Sequence, residues 1–269
     1  MANLEMIRQM RLKYDYKFRT DADNSIEYGQ LTRKDYFEKA FDTRAFQNIQ
    51  GDYEKYFLSG AETNVSLLFI DVCNFSIMSK DWPGDSIGRY FDRYYGLIIP
   101  IIYKYGGEID KIMGDGIIAV FGQPFINASP TQCFEQANNC AKQIIFNTRQ
   151  SDYVSKVAFH NGKIKYFKNK STFYNEYTII GQPLTELFRL ESVSVDNAIN
   201  FYQSGPVRIC YDEMIKSRDY RWTGIGEGNK YMDERGMPWS FSVKTVPKLN
   251  GVKEEPKIVY MEDLLRITC

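Results

Sequence analysis

Apolar residues along this chain fall into blocks with distinct periods. The run Val65-Ser66-Leu67-Leu68-Phe69-Ile70-Asp71-Val72 is short, branched-rich and bounded by polar residues, as a strand buried on both faces should be. A loop, Cys73 to Asp85, leads into a stretch where Tyr90, Tyr94, Leu97, Ile98, Ile101 and Ile102 recur on one helical face, with Pro100 as a kink site and Gly106-Gly107 as a stop. Glu108 to Met113 and Ile117 to Phe121 flank Gly114-Asp115-Gly116, residues that tolerate positive φ, and this predicts a hairpin. Ser129 and Pro130 can cap and open a second long helix. Beyond it the pattern predicts a strand in Val154 to Phe167, a short one at Tyr177 to Gly181, and a helix from about Pro183 to Val193. Further strands are expected near Val207 to Tyr211 and Trp239 to Thr245. The order β-α-ββ-α-β-α-β implies an α+β fold, a ferredoxin-like βαββαβ core sheet with flanking helices.

The N-terminal region has another texture. Between Leu31 and Leu58, Tyr36, Phe37, Ala40, Phe41 and Phe46 stand at near-helical spacing, which predicts a helical N-terminal extension, residues 1–60, before a main domain at 61–269.

Composition narrows the chemistry. With 269 residues, 43% hydrophobic and 25% charged, the chain can build its own core. Lys+Arg 34 against Asp+Glu 34 leaves no net charge, so the basic footprint of a nucleic-acid or anionic-membrane binder is absent. No apolar run approaches the ~18 residues of a spanning helix, and the N-terminus lacks a signal-peptide apolar region, so the expectation is a cytoplasmic protein. Five cysteines without a CxxC pair point to reduced thiols. The one histidine, His160, excludes a two-histidine zinc site, and catalysis must be sought among carboxylates, lysines, arginines and backbone amides.

Asp71 ends the first strand and Asp115 stands at the hairpin tip, 44 positions on. Two such carboxylates can converge on one sheet edge, where hard oxygen ligands could hold Mg²⁺ or Mn²⁺ while substrate phosphates complete the octahedron. Singly, each aspartate is equally well a cap or a turn former. Simple alternation puts Lys111 on the face of Ile109 and Met113 as its sole charge, either snorkelling to solvent or donating into a pocket. Arg189 falls on the second turn of the third helix, where an arginine is normally solvated or ion-paired.

Together, in this order and spacing, the segments LLFIDVCNFS, GGEIDKIMGDGIIAVFG, VAFHNGKI and YTIIGQPLTELFRLES resemble the catalytic domain of class III nucleotidyl cyclases over roughly Asn64 to Ser192. VAFHNGKI resembles the family's strand and glycine turn. The resemblance implies that Asp71, Val72 and Asp115 bind two divalent ions per site, Mn²⁺ or Mg²⁺, and that Asn74, Phe75 and Ser76 hold phosphates. It also implies that Lys111 and Thr178 read the base, that Lys163 touches the polyphosphate, and that Arg189 stabilises the transition state. It further implies a homodimer with composite active sites, the metal aspartates coming from one subunit and the base-reading and arginine positions from the other.

Two departures stand out. The family's ribose-orienting asparagine is replaced by Thr185, which has one donor instead of two, and Pro183 and Glu186 are unusual at the helix start. The family's late triphosphate-binding lysine has only Lys230 as a weak counterpart. Within the family, the overall likeness is to Pycsar-type bacterial cyclases, which make cyclic pyrimidine nucleotides in anti-phage defence. On Lys111 and Thr178 alone ATP stays open; the likeness implies UTP or CTP, and a hydroxyl beside a lysine suits uracil slightly better, so the expected products are cyclic UMP and pyrophosphate. The alternatives are a cytidylate or adenylate cyclase, or a degenerate cyclase fold that binds nucleotide without turnover.

Overall fold

The computed structural model describes residues 55–168, 177–218, 229–233, 236–252 and 257–264. The predicted N-terminal helices lie almost wholly outside them; residues 55–59 form a helical turn whose Phe57 is buried against the Tyr166 ring, 4.9 Å between centroids.

The chain forms β1 (Glu62–Val72), a short α1 (Phe75–Met78), α2 (Gly84–Lys104), β2 (Glu108–Met113), β3 (Gly116–Phe121), α3 (Pro130–Thr148) and β4 (Ser155–Lys168). There follow β5 (Tyr177–Ile180), α4 (Gln182–Glu191), β6 (Ile199–Tyr202), α5 (Pro206–Arg218), β7 (Asn229–Met232), β8 (Pro238–Thr245) and β9 (Lys257–Asp263). The strands make one mixed sheet in the order β2-β3-β1-β4-β6-β9-β8-β7, with β5 paired to β4. Its first four strands, with α2 and α3 as crossovers, are the expected ferredoxin-like βαββαβ unit, and the remaining strands widen it beyond β4.

Strand β1 runs through the centre, antiparallel to β3 and to β4. Its residues alternate between two cores: Leu68, Ile70 and Val72 pack under α2 and α3, while Val65, Leu67 and Phe69 pack on the opposite face with Leu184, Leu187 and Leu190 of α4. This two-sided burial is why β1 reads as a continuous apolar run. Helix α3 starts as predicted, with Ser129 and Gln132 forming a reciprocal capping box. Pro100 lies inside α2, which continues through it to Lys104.

Three expectations are corrected. Residues 207–211 lie in α5 rather than in a strand: Val207, Tyr211 and Met214 are buried at the i, i+4, i+7 spacing of a helix, and the neighbouring strand is β6 instead. Gly162 makes no turn, because β4 runs unbroken through it. A Cβ there would sit 2.4 Å from Cγ of Pro183, so the glycine admits the start of α4 onto the strand. Third, Lys111 does not share a face with Ile109. A bulge at Asp110 shifts the hairpin register, pairing Ile109 with Ala119 but Lys111 with Ile118. Lys111 is thereby moved to the face of Ile118, Phe69 and α4.

Candidate active site

Asp71 lies at the end of β1, directly opposite Lys156 of β4. The β1–β3 register ends at Ile70 with Ile117, and one further step brings Asp71 level with Gly116 and so beside the hairpin tip that carries Asp115. The tip is tethered, since the Tyr95 hydroxyl on α2 donates to the Gly114 carbonyl. Gly116 has no room for a Cβ, which would meet the Phe69 ring at 2.6 Å, so the hairpin lies tightly on β1.

The two carboxylates sense each other. The Asp71 carboxyl is pushed up to about 6, first by burial and next by Asp115, with Lys156 pulling the other way. A pair of hard oxygen donors whose charges repel in a partly dry site fits a divalent cation, which would relieve both costs. Among the described residues no cluster of three or more His, Cys, Asp or Glu side chains forms a metal cage. That donor count resembles the usual Mg²⁺ arrangement of one or two carboxylates completed by water and phosphate.

The loop after β1 turns sharply. Asn74 adopts the left-handed conformation (φ 59°, ψ 22°), and the first helical bond runs from the Ile77 amide to the Asn74 carbonyl. The amides of Phe75 and Ser76 thus precede the first donor of the turn, the Ile77 N–H. The Phe75 ring leaves the site to pack between Tyr90 and Phe91 of α2, at 5.3 and 4.8 Å, so what it can offer a phosphate is its backbone. The Asn74 side-chain amide donates to Asp196, 3.4 Å away.

Two residues that sequence reasoning missed complete this corner. Lys156 Nζ lies 3.3 Å from Asp71 Oδ2 and 2.8 Å from Glu191 Oε1 on the last turn of α4. Burial depresses the ammonium, yet Glu191 and then Asp71 outweigh it and raise its pKa. The only sequence signal was parity: Lys156 is a charge on a strand face that otherwise carries Ala158 and His160.

Of the other predicted positions, Lys111 and the residues of α4 lie on the sheet face of Asp71, whereas Lys163 and Thr178, in register with Asn64 and Phe167, lie on the opposite face. Thr185 and Arg189 are exposed on α4. Glu186, on its inner side, binds His160 at 2.9 Å, which explains both the unusual glutamate and the histidine as a buried pair. Lys111 Nζ lies 3.9 Å from Asp110. Thr178, on β5, is paired with Phe167, and the exposed Phe167 and Ile180 lie on its face of the ribbon. Lys163 is bound to Glu62 at 2.5 Å, seven residues along β4 from Lys156, or about 23 Å at the usual strand rise. Lys230 is exposed on edge strand β7. One chain therefore gathers Asp71, Asp115 and the α1 turn at one end of the sheet, and leaves Lys163 and Thr178 towards the other.

This architecture is the class III nucleotidyl cyclase catalytic fold. The catalytic core of a rhodopsin-guanylyl cyclase with converted specificity, in complex with ATPalphaS, superposes with a TM-score of 0.56 at 17% identity, covering 76% of this chain and 97% of that one. The guanylate cyclase domain of RhGC from Catenaria anguillulae in complex with GTP gives 0.56 at 16% identity, over 76% and 98%. The adenylyl cyclase CyaB from P. aeruginosa gives 0.54 at 18% identity, over 76% and 95%. No model of a protein family matches the chain. Among curated proteins, an uncharacterized protein of Mycobacterium tuberculosis is 23% identical over 140 residues, 51% of this chain and 25% of its own length. One of Mycobacterium bovis is 24% identical over 136 residues, 49% and 23%. The match thus spans about a quarter of the curated relatives. Among the described residues no helix is long and apolar enough to cross a membrane.

Proposed function

We propose that the chain is a nucleotidyl cyclase that converts a pyrimidine nucleoside triphosphate, UTP in preference, to its 3′,5′-cyclic monophosphate and pyrophosphate. The observation that carries this reading is the meeting of Asp71 and Asp115 beside the α1 turn on a cyclase-type sheet. Asp71 and Asp115, with Val72, would hold two divalent ions, Mg²⁺ or Mn²⁺, and these when bound would supply Lewis-acid activation of the ribose 3′-hydroxyl and neutralise the triphosphate. The 3′-oxygen forms its bond to the α-phosphorus as the bond to the α–β bridging oxygen breaks, pyrophosphate leaves with that electron pair, and the hydroxyl proton passes to water or to the departing pyrophosphate. The Phe75 and Ser76 amides donate to phosphate oxygens, with Asn74 shaping the turn. Lys163, at the far end of β4 from Asp71, would reach the polyphosphate only from a second copy of the chain, and Arg189 neutralises charge developing on the α-phosphoryl oxygens. Thr185 offers its hydroxyl to the ribose. No side chain is required as a titrating base.

The working unit is a head-to-tail homodimer. Glu191 turns inward to Lys156 beside Asp71, and Arg189, two residues earlier, lies about 200° round the helix, away from its own chain's aspartates. Arg189, Thr185 and Lys111 then serve the aspartates of a second copy, which also covers the exposed ribbon of Phe167 and Ile180.

For the base, Lys111 offers a cationic donor and Thr178 a hydroxyl that donates or accepts. A lysine facing a carbonyl and a hydroxyl facing an imide N–H suit uracil, whereas cytosine would prefer an acceptor opposite its amino group. The cyclic product would act as a second messenger, the role in anti-phage defence that the Pycsar-type likeness implies. Incubation with equimolar ATP, GTP, CTP and UTP plus Mn²⁺, read by pyrophosphate release and mass spectrometry, tests the reading, and cyclic UMP is expected. Mainly cyclic AMP overturns the pyrimidine assignment alone; no pyrophosphate from any of the four overturns the cyclase.

A further inference from the structure

Lys156 stands between two carboxylates that belong to different parts of the fold, Asp71 on the central strand and Glu191 on the last turn of α4. The three side chains are 20%, 16% and 18% exposed, so solvent screens them less than it would a surface pair. Asp71 also faces Asp115. A divalent cation taken up by Asp71 would compete for the same carboxylate and repel the ammonium, and Glu191, already the nearer partner, is the acceptor left to it.

We propose that Lys156 is a positioning residue that passes from Asp71 wholly to Glu191 when a divalent cation binds Asp71, so that metal occupancy fixes the last turn of the helix carrying Thr185 and Arg189. The inference rests on the cyclase reading, in which Asp71 is a metal ligand. In the head-to-tail dimer its consequence is communication between sites: loading the aspartates of one site sets the α4 residues that serve the other.

The test is Mn²⁺ binding without nucleotide, followed by paramagnetic resonance of the free ion, in the wild type, Lys156→Met, Glu191→Gln and the double variant. Lys156→Met should tighten binding by removing the competitor. Glu191→Gln should weaken it about fivefold or more, by leaving the lysine to Asp71 alone, yet change little in the Lys156→Met background. An equal loss in both backgrounds means that Glu191 acts only through its own charge, and overturns the hand-off. Hydrogen exchange gives a second readout: Mn²⁺ should slow the amides of residues 187–192 in the wild type but not in Lys156→Met, and equal slowing in both also overturns it. Should Lys156→Met fail to fold, Lys156→Gln takes its place. Asp71→Asn separates the two levels, since unchanged Mn²⁺ binding in that variant refutes the metal assignment itself.

Discussion

Asp71 and Lys156 stand opposite each other across the β1–β4 ladder, and the lysine only partly offsets the burial and the Asp115 charge that lift the Asp71 carboxyl from 3.8 to about 6. The metal-free folded state therefore binds an extra proton between pH 3.8 and about 6, and stability falls as pH rises through that window. Asp71→Asn removes the penalty. At pH 7.5 in chelator the variant should be more stable than wild type by about 1 kcal/mol, the ~3 kcal/mol implied by such a displacement being reduced by solvent reaching the group. The gap should close by pH 4. Urea melts at the two pH values check this, and a less stable variant at pH 7.5 would contradict it.

The same substitution should cost activity. Asp71→Asn and Asp115→Asn each take away a ligand charge at nearly constant volume, so cyclisation should drop by at least a thousandfold, on the order of 4 kcal/mol in barrier, with the circular dichroism spectrum and dimer mass unchanged. Full turnover by either variant at saturating Mn²⁺ rules out the metal assignment.

Because Arg189 faces away from its own chain's aspartates, inactive Asp115→Asn and inactive Arg189→Ala proteins should complement. Mixed under conditions of subunit exchange, heterodimers keep one intact site, and about a quarter of wild-type activity should return when exchange is statistical. Exchange demonstrated by native mass spectrometry without any recovered activity places the whole site in one chain.

Gly162→Ala should destabilise the fold by about 1–3 kcal/mol, because the new methyl meets Pro183 Cγ at 2.4 Å. Pro183→Ala in the same chain should restore much of the loss by removing the ring atom. Additive losses in a denaturation cycle would show that the two do not meet.

Lys111→Met should raise KM for UTP at least tenfold and blunt selectivity among the four nucleotides, and should also lower the melting temperature, because the ammonium lies 3.9 Å from the buried Asp110 carboxylate. Unaltered selectivity in the competition assay would remove Lys111 from base reading.

The elements that position the aspartates were legible because they rest on local signals: an apolar run that ends in Asp71, and a Gly-Asp-Gly turn between two such runs. The α3 start was legible from Ser129 and Pro130 for the same reason. Residues 207–211 misled because Val207, Ile209 and Tyr211 also alternate like a strand, and a short window cannot separate the two periods. Lys156 and Glu191 escaped notice because nothing local ties residues 35 positions apart; only the folding of α4 back over β4 brings them together. His160 and Glu186 looked like separate oddities until the structure made them one pair.

The bulge at Asp110 makes the address of Lys111 a matter of counting. Asp110 is the extra residue, and a β2 without it would close the bulge into plain alternation with Ile109 still opposite Ala119 and Lys111 still opposite Ile118. Over evolutionary time this strand can therefore shorten by its bulge residue without moving Lys111 to the other face. Comparison with distant relatives should accordingly count β2 back from the Gly-Asp-Gly tip, since counting forward from Gly107 can align Lys111 with a residue on the wrong side.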